Sequence, residues 1–263
     1  MSAMSLALTD SATMLRRNLR HMQRYPSLTL MLAGMPVIFL LLFVYVFGGT
    51  LGDGLGGVSG GRAAYVNYVA PGVLLMTVAA AAQGTAISVA MDMTEGIIAR
   101  FRTMSIARVS VLTGHVVGSM IQTLISMAIV LGVALLVGFR PDATPTEWLA
   151  TAGVLAMITF ALIWLSVALG LVAKTVESAS NLPMPLILLP FLSSGFVPTE
   201  SMPSWMQWFA EYQPFTPFIE TVRGLLMGTL IGNSAVLTVA WSAVIALGGY
   251  LWSKKLYSRD PSR

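Results

Sequence analysis

The sequence contains no cysteine among its 263 residues, which excludes disulfides, thiolate metal sites and cysteine nucleophiles. Charge is scarce: Asp, Glu, Lys and Arg make up 10% of the chain, and there are 2 histidines. No H-E-x-x-H helix, no Walker glycine-rich lysine loop and no acidic metal cluster occurs. The polypeptide thus has no motif for binding and hydrolysing ATP, no metal site and no catalytic constellation. Nor does any long apolar run hold an ionisable residue near its middle, where proton- or ion-driven carriers keep theirs. An ion-coupled secondary carrier or channel is the alternative this disfavours. Energy for any transport must come from outside the chain.

Apolar residues, by contrast, are abundant. The chain is 56% hydrophobic with a mean hydropathy of +0.79, far from a soluble domain. A membrane span needs about 20 mostly apolar residues. Six candidates are expected, near 28–48, 65–91, 111–138, 148–173, 181–197 and 230–252. The expected fold is an all-α polytopic membrane protein, one transmembrane domain over 1–263. Pro183, Pro185 and Pro190 weaken the fifth span and favour kinks. The run that begins near Leu28 outlasts the apolar core of a cleavable signal, so it is expected to be a retained span. The net charge of +4 and pI near 9.6 need no nucleic-acid partner, because in membrane proteins Lys and Arg set orientation.

Counting those cations gives the orientation. With the amino terminus cytoplasmic, that side holds Arg16, Arg17, Arg20, Arg24, Arg100, Arg102, Arg108, Lys174, Lys254, Lys255, Arg259 and Arg263, against Arg62, Arg140 and Arg223 outside. Both termini are then cytoplasmic. Residues 6–25 read as an amphipathic helix on that face, ended by Pro26. Asp92–Arg108 gathers five of the scarce charges, Asp92, Glu95, Arg100, Arg102 and Arg108, around one helical apolar arc of Ile97, Ile98, Phe101 and Met104. A short amphipathic helix between two spans can lie at the membrane surface and receive force from a soluble partner.

Two glycine motifs fail in context. Gly52, Gly54 and Gly57 match a dinucleotide-binding pattern, but no strand precedes them, and the GGTLGDGLGGVSGGR stretch reads as a flexible loop. Ser59 in a G-x-S-x-G match lacks a histidine on its side of the membrane. Gly114/Gly118 and Gly228/Gly232 have the spacing that allows close helix contact. Gln83, Ser88, Gln122, Ser193 and Ser194 could line a path, or could bond between helices. Residues 198–229 are aromatic but interrupted by Glu200, Glu211, Glu220 and Arg223, so two short half-buried helices broken at Pro214 and Pro217 are expected, with the aromatics Trp205, Trp208, Phe209, Tyr212, Phe215 and Phe218 at headgroup depth.

Two stretches carry a family likeness. EGIIARFRTMSIARVSVLTGHVVG (Glu95–Gly118) resembles the cytoplasmic loop of type-2 ABC exporter permeases, particularly the daunorubicin-resistance branch. Phe191–Gly228 is similar to that branch's outer loop, through Gly195, Phe196, Pro198, Met202, Pro203, Trp205, Pro214, Pro217, Arg223 and Gly228. The resemblance implies a permease in a bacterial cell membrane that exports an amphipathic drug, antibiotic or lipid-like molecule. It implies a separate ABC ATPase, which would hold the ATP and Mg, and a second permease, copy or paired chain. It also implies a coupling helix near 94–106 using Glu95, Gly96, Arg100, Phe101, Arg102 and Met104. An interface helix carrying Arg16, Arg17 and Arg20 would pack beside it, and a re-entrant segment 198–229 holding Glu220 and Arg223 would close the exit. Ser105 and Gln213 depart from the branch, where proline and asparagine are common.

Overall fold

The computed structural model describes Arg24 and residues 26–54, 61–94 and 108–257, and every regular element among them is helical. The expected coupling residues Glu95, Gly96, Arg100, Phe101, Arg102 and Met104, and Arg16, Arg17 and Arg20, lie outside the described residues.

The first crossing joins α1 (Pro26–Leu42), one π-helical turn (Phe43–Phe47) and α2 (Gly48–Gly54). Helix therefore continues into the glycine stretch, where a flexible loop was expected. Glycine costs up to about 1 kcal/mol in a helix, but here it permits close approach: a Cβ at Gly52 would collide with the backbone of Gly61. Arg62 then stacks on Tyr45, its guanidinium carbon 5.0 Å from the ring centroid.

Among the described residues four more helices are long and apolar enough to cross a bilayer: α3 (Arg62–Thr94), α4 (Arg108–Val137), α5 (Pro145–Val172) and α10 (Ser234–Tyr257). They are not equivalent. The most apolar stretch of α3 is 72% buried and that of α5 61%, against 22%, 28% and 17% for the first crossing, α4 and α10. Two inner helices are thus wrapped by three outer ones, whose apolar faces suit lipid. Glycines let backbones approach: a Cβ at Gly170 of α5 would stand 2.6 Å from the Ala86 carbonyl oxygen of α3. One at Gly249 of α10 would stand 2.6 Å from the Leu165 nitrogen. Without a solvent-driven hydrophobic effect between helices in lipid, such close packing carries the association. At its start α5 has a capping box, Thr144 and Glu147 each bonding the other's backbone N–H, with Pro145 opening the helix.

The segment expected as a fifth, kinked span is broken into short helices and turns. α6 (Val176–Asn181) and α7 (Met184–Leu188) are short helices, followed by turns through Phe196. The prolines remove backbone donors, as at Pro183, Pro185 and Pro190. The segment still runs antiparallel along α3: Gln83 bonds Ser180, and Gly72 abuts Gly195. Eleven helical residues from Gln83 to Gly72 correspond to about 16 Å of depth.

We call the end where α3 begins and α4 ends the upper end. There α8 (Ser204–Tyr212) and α9 (Phe215–Met227) follow, and α9 packs on α3, α5 and α10. The core lies near this end, with Tyr65, Phe139, Phe215, Phe218 and Ile219 fully buried. A smaller apolar cluster of Val89, Val116, Ile163, Trp164, Val167 and Tyr257 holds the lower end.

Candidate functional site: the upper segment and the lower helix ends

α8 and α9 separate at Gln213–Pro214, where a break was expected. Pro217 makes no break. It sits in the first turn of α9, where its missing N–H has no partner to lose. Gly228 (φ 62°) ends α9 and Gly232 (φ 55°) turns the chain, so both serve left-handed turns and not helix contact. Gly114 and Gly118 are buried on α4.

The aromatics of the segment divide into two sets. Trp205, Trp208 and Tyr212 on α8 are 73%, 65% and 65% exposed, whereas Phe215 and Phe218 on α9 are fully buried. The rings of α8 are displayed at the surface, while Phe215 and Phe218 of α9 are enclosed by neighbouring helices.

Side chains from neighbouring elements bond carbonyls of the unwound stretch after α7 and of the adjoining helix α3. Arg223 donates from Nε and Nη2 to the Tyr68 carbonyl at 3.3 and 3.1 Å, and from Nη2 to the Ser194 carbonyl at 2.6 Å. Its guanidinium carbon lies 3.9 Å from the Tyr68 ring centroid, a cation–π contact. Gln213 donates to the Leu189 and Leu192 carbonyls at 3.2 and 3.4 Å, and its side-chain oxygen accepts the Phe215 N–H at 3.2 Å. Tyr65 donates to the Phe196 carbonyl at 3.1 Å. Irregular backbone at membrane depth is tolerated where protein groups satisfy it. Arg223, Gln213 and Tyr65 thus fasten the upper segment and the broken crossing to α3. Sequence reasoning missed the Gln213 and Tyr65 roles, since neither belongs to a local pattern. Glu220 turns towards α10, accepting from the Ser234 hydroxyl at 2.7 Å.

The expected pathway residues are dispersed. Gln83 donates to the Ser180 carbonyl at 2.7 Å, and Gln122 donates to the Thr29 hydroxyl at 3.4 Å. Ser193 bonds locally, donating to the Pro190 carbonyl and accepting the Gly195 N–H at 3.1 Å. Ser194 Oγ is buried with no hydrogen-bond partner among the described residues, and Ser88 is exposed on α3. A groove of about 340 Å³ lined by Ile87, Val176, Glu177, Ser180 and Asn181 opens between α3 and α6.

At the lower end Asp92 and His115, both buried, meet with 3.0 Å between Oδ2 and Nε2. Asp92 had counted only as the first charge of the cytoplasmic stretch; the fold turns it inward.

Comparison with known proteins gives this geometry a context. A family model described as ABC-2 type transporter matches residues 10–227. The daunorubicin resistance ABC transporter permease protein DrrB1 of Streptomyces coeruleorubidus is 31% identical over 229 residues, 86% of this chain and 78% of the relative. The probable doxorubicin resistance ABC transporter permease protein DrrC of Mycobacterium tuberculosis is 28% identical over 180 residues, 66% of this chain and 64% of the relative. ABC transporter G family member 20 of Dictyostelium discoideum is 25% identical over 62% of this chain but only 22% of its own length.

Proposed function

The chain belongs to the ABC-2 type transporter family and is the membrane permease subunit of an ABC exporter, and from that premise we propose how it works and what it moves. A separate ATPase subunit binds and hydrolyses ATP and seats residues 94–106 of the permease. The chain pairs with a second permease, and substrate crosses outward between the two. The upper end faces outside, both termini are cytoplasmic, and the membrane is that of a bacterial cell. The observation that carries this reading is a match to the transporter family over residues 10–227 in a chain with no ATP-binding motif of its own.

The substrate is an amphipathic molecule of the drug, antibiotic or lipid-like kind. Two relatives are named for resistance to daunorubicin and doxorubicin. The apolar crossings, without midplane charge, are compatible with such a cargo. Arg223 and Gln213 hold the upper segment closed over the bundle by bonds to backbone carbonyls, which can be released and remade without breaking an ion pair.

The test is to co-purify the chain with a Walker-motif ATPase and reconstitute both in liposomes. Efflux of a fluorescent anthracycline should require ATP and the ATPase. Equal transport by the permease alone would refute the reading. In the same complex, Glu95→Ala or Arg102→Ala should keep assembly and ATP hydrolysis yet lose transport, because charge-assisted bonds to the ATPase surface disappear. Unchanged efflux in both variants would remove these residues from coupling.

A further inference from the structure

Asp92 stands in the last turn of α3 and His115 in the second turn of α4, so the pair joins the two helix ends that flank residues 95–107 of the sequence. Nε2 of His115 lies 3.0 Å from Oδ2 of Asp92, with 6% of the histidine side chain and 12% of the aspartate side chain exposed. Burying a carboxylate or an imidazole is costly unless each is hydrogen-bonded, so the contact favours one spacing of the two helices. Val89 and Val116, one turn or less away, pack in the apolar cluster with Ile163, Trp164 and Val167 of the inner helix α5. The pair is therefore backed by close-packed side chains, which transmit displacement with little give.

We propose that Asp92 and His115 are positioning residues that lock the lower ends of α3 and α4 into one unit, so that force applied to the stretch joining them moves both helices together. Neither residue touches ATP or cargo. The inference rests on the reading above, in which residues 94–106 receive force from the ATPase. Without the lock, the force would displace one helix end relative to the other and be lost locally.

The experiment uses the full permease with its co-purified ATPase in liposomes, with ATP hydrolysis and anthracycline efflux measured on one preparation. Asp92→Ala and His115→Ala should each lower efflux per ATP hydrolysed about tenfold while hydrolysis persists, and the double variant should lose no more than either single. An unchanged ratio in either single variant, or losses that multiply in the double, would overturn the proposal. Should an alanine variant fail to assemble, Asp92→Asn and His115→Gln, close in size, replace it, with an expected loss of about threefold. Because the chain has no cysteine, spin labels at Met91→Cys and Val117→Cys report on these two helices alone. Their distance distribution should broaden in Asp92→Ala, and an unchanged distribution would also overturn the lock. If the parent complex itself moves cargo without ATP, the coupling reading fails, and the label distances still test the lock.

Discussion

α8 and α9 are consecutive amphipathic helices, each aromatic and separated by a single break, yet one displays its rings and the other buries them. Trp208 is 65% exposed and Phe218 not at all. The difference follows from what each helix meets. α9 lies against α3, α5 and α10 and finishes the upper core, while α8 touches little beyond α9 and the 3-10 turn before it. Aromatic content alone therefore does not decide burial: indole suits a membrane interface, phenyl a closed core, and the surrounding helices determine which is available.

Substitutions can break or sharpen this contrast. Phe218→Ala should be the most damaging, costing about 3–5 kcal/mol of stability from lost burial and the cavity left behind. Thermal unfolding in mild detergent checks it, and a loss no greater than at Trp208 would erase the distinction. Arg223→Ala comes next, at about 2–3 kcal/mol, because two backbone carbonyls lose charge-assisted bonds. Arg223→Lys should recover only part, since an ammonium cannot reproduce the planar fork that reaches Tyr68 and Ser194 together. Gln213→Ala should cost about 1–2 kcal/mol by freeing the Leu192 carbonyl and removing one of the two bonds to the Leu189 carbonyl, measured in the same melts. Trp208→Ala should change stability by less than about 0.5 kcal/mol. Its effect should appear instead as reduced quenching of protein fluorescence by lipid-borne bromine, which would show that α8 contacts the membrane interface.

The two ends of the molecule differ in how readily they could be read. Around 198–229, Pro214 announced the break and the interrupting charges ruled out a long span, so two short helices were foreseeable. What each covered was not, because partners such as Tyr68 and Ser194 lie 155 and 29 residues away from Arg223. At the lower end the cationic surplus made the charged stretch an expected cytoplasmic segment, but nothing local pairs Asp92 with His115, which are 23 residues apart. Glycine misled in both directions. Gly48–Gly54 reads as loop and is helix, while Gly228 and Gly232 read as contact and are turns. A glycine's role depends on whether a backbone approaches it or a positive φ is required, and both are tertiary matters.

Composition and pattern by themselves determined that this chain crosses a membrane repeatedly, carries no Walker motif and holds a charged island between two crossings. Those properties are local: uncompensated charge is expensive in hydrocarbon, and a Walker loop is a contiguous motif that a sequence displays directly. Only the tertiary structure decided that α3 and α5 are the inner helices and that the proline-rich crossing is unwound. It alone showed Arg223, Gln213 and Tyr65 satisfying carbonyls of that crossing, and Asp92 facing His115. The physical reason is that backbone groups stripped of helical partners must be satisfied by whatever side chain the packing brings within reach, and such partners come from anywhere along the chain.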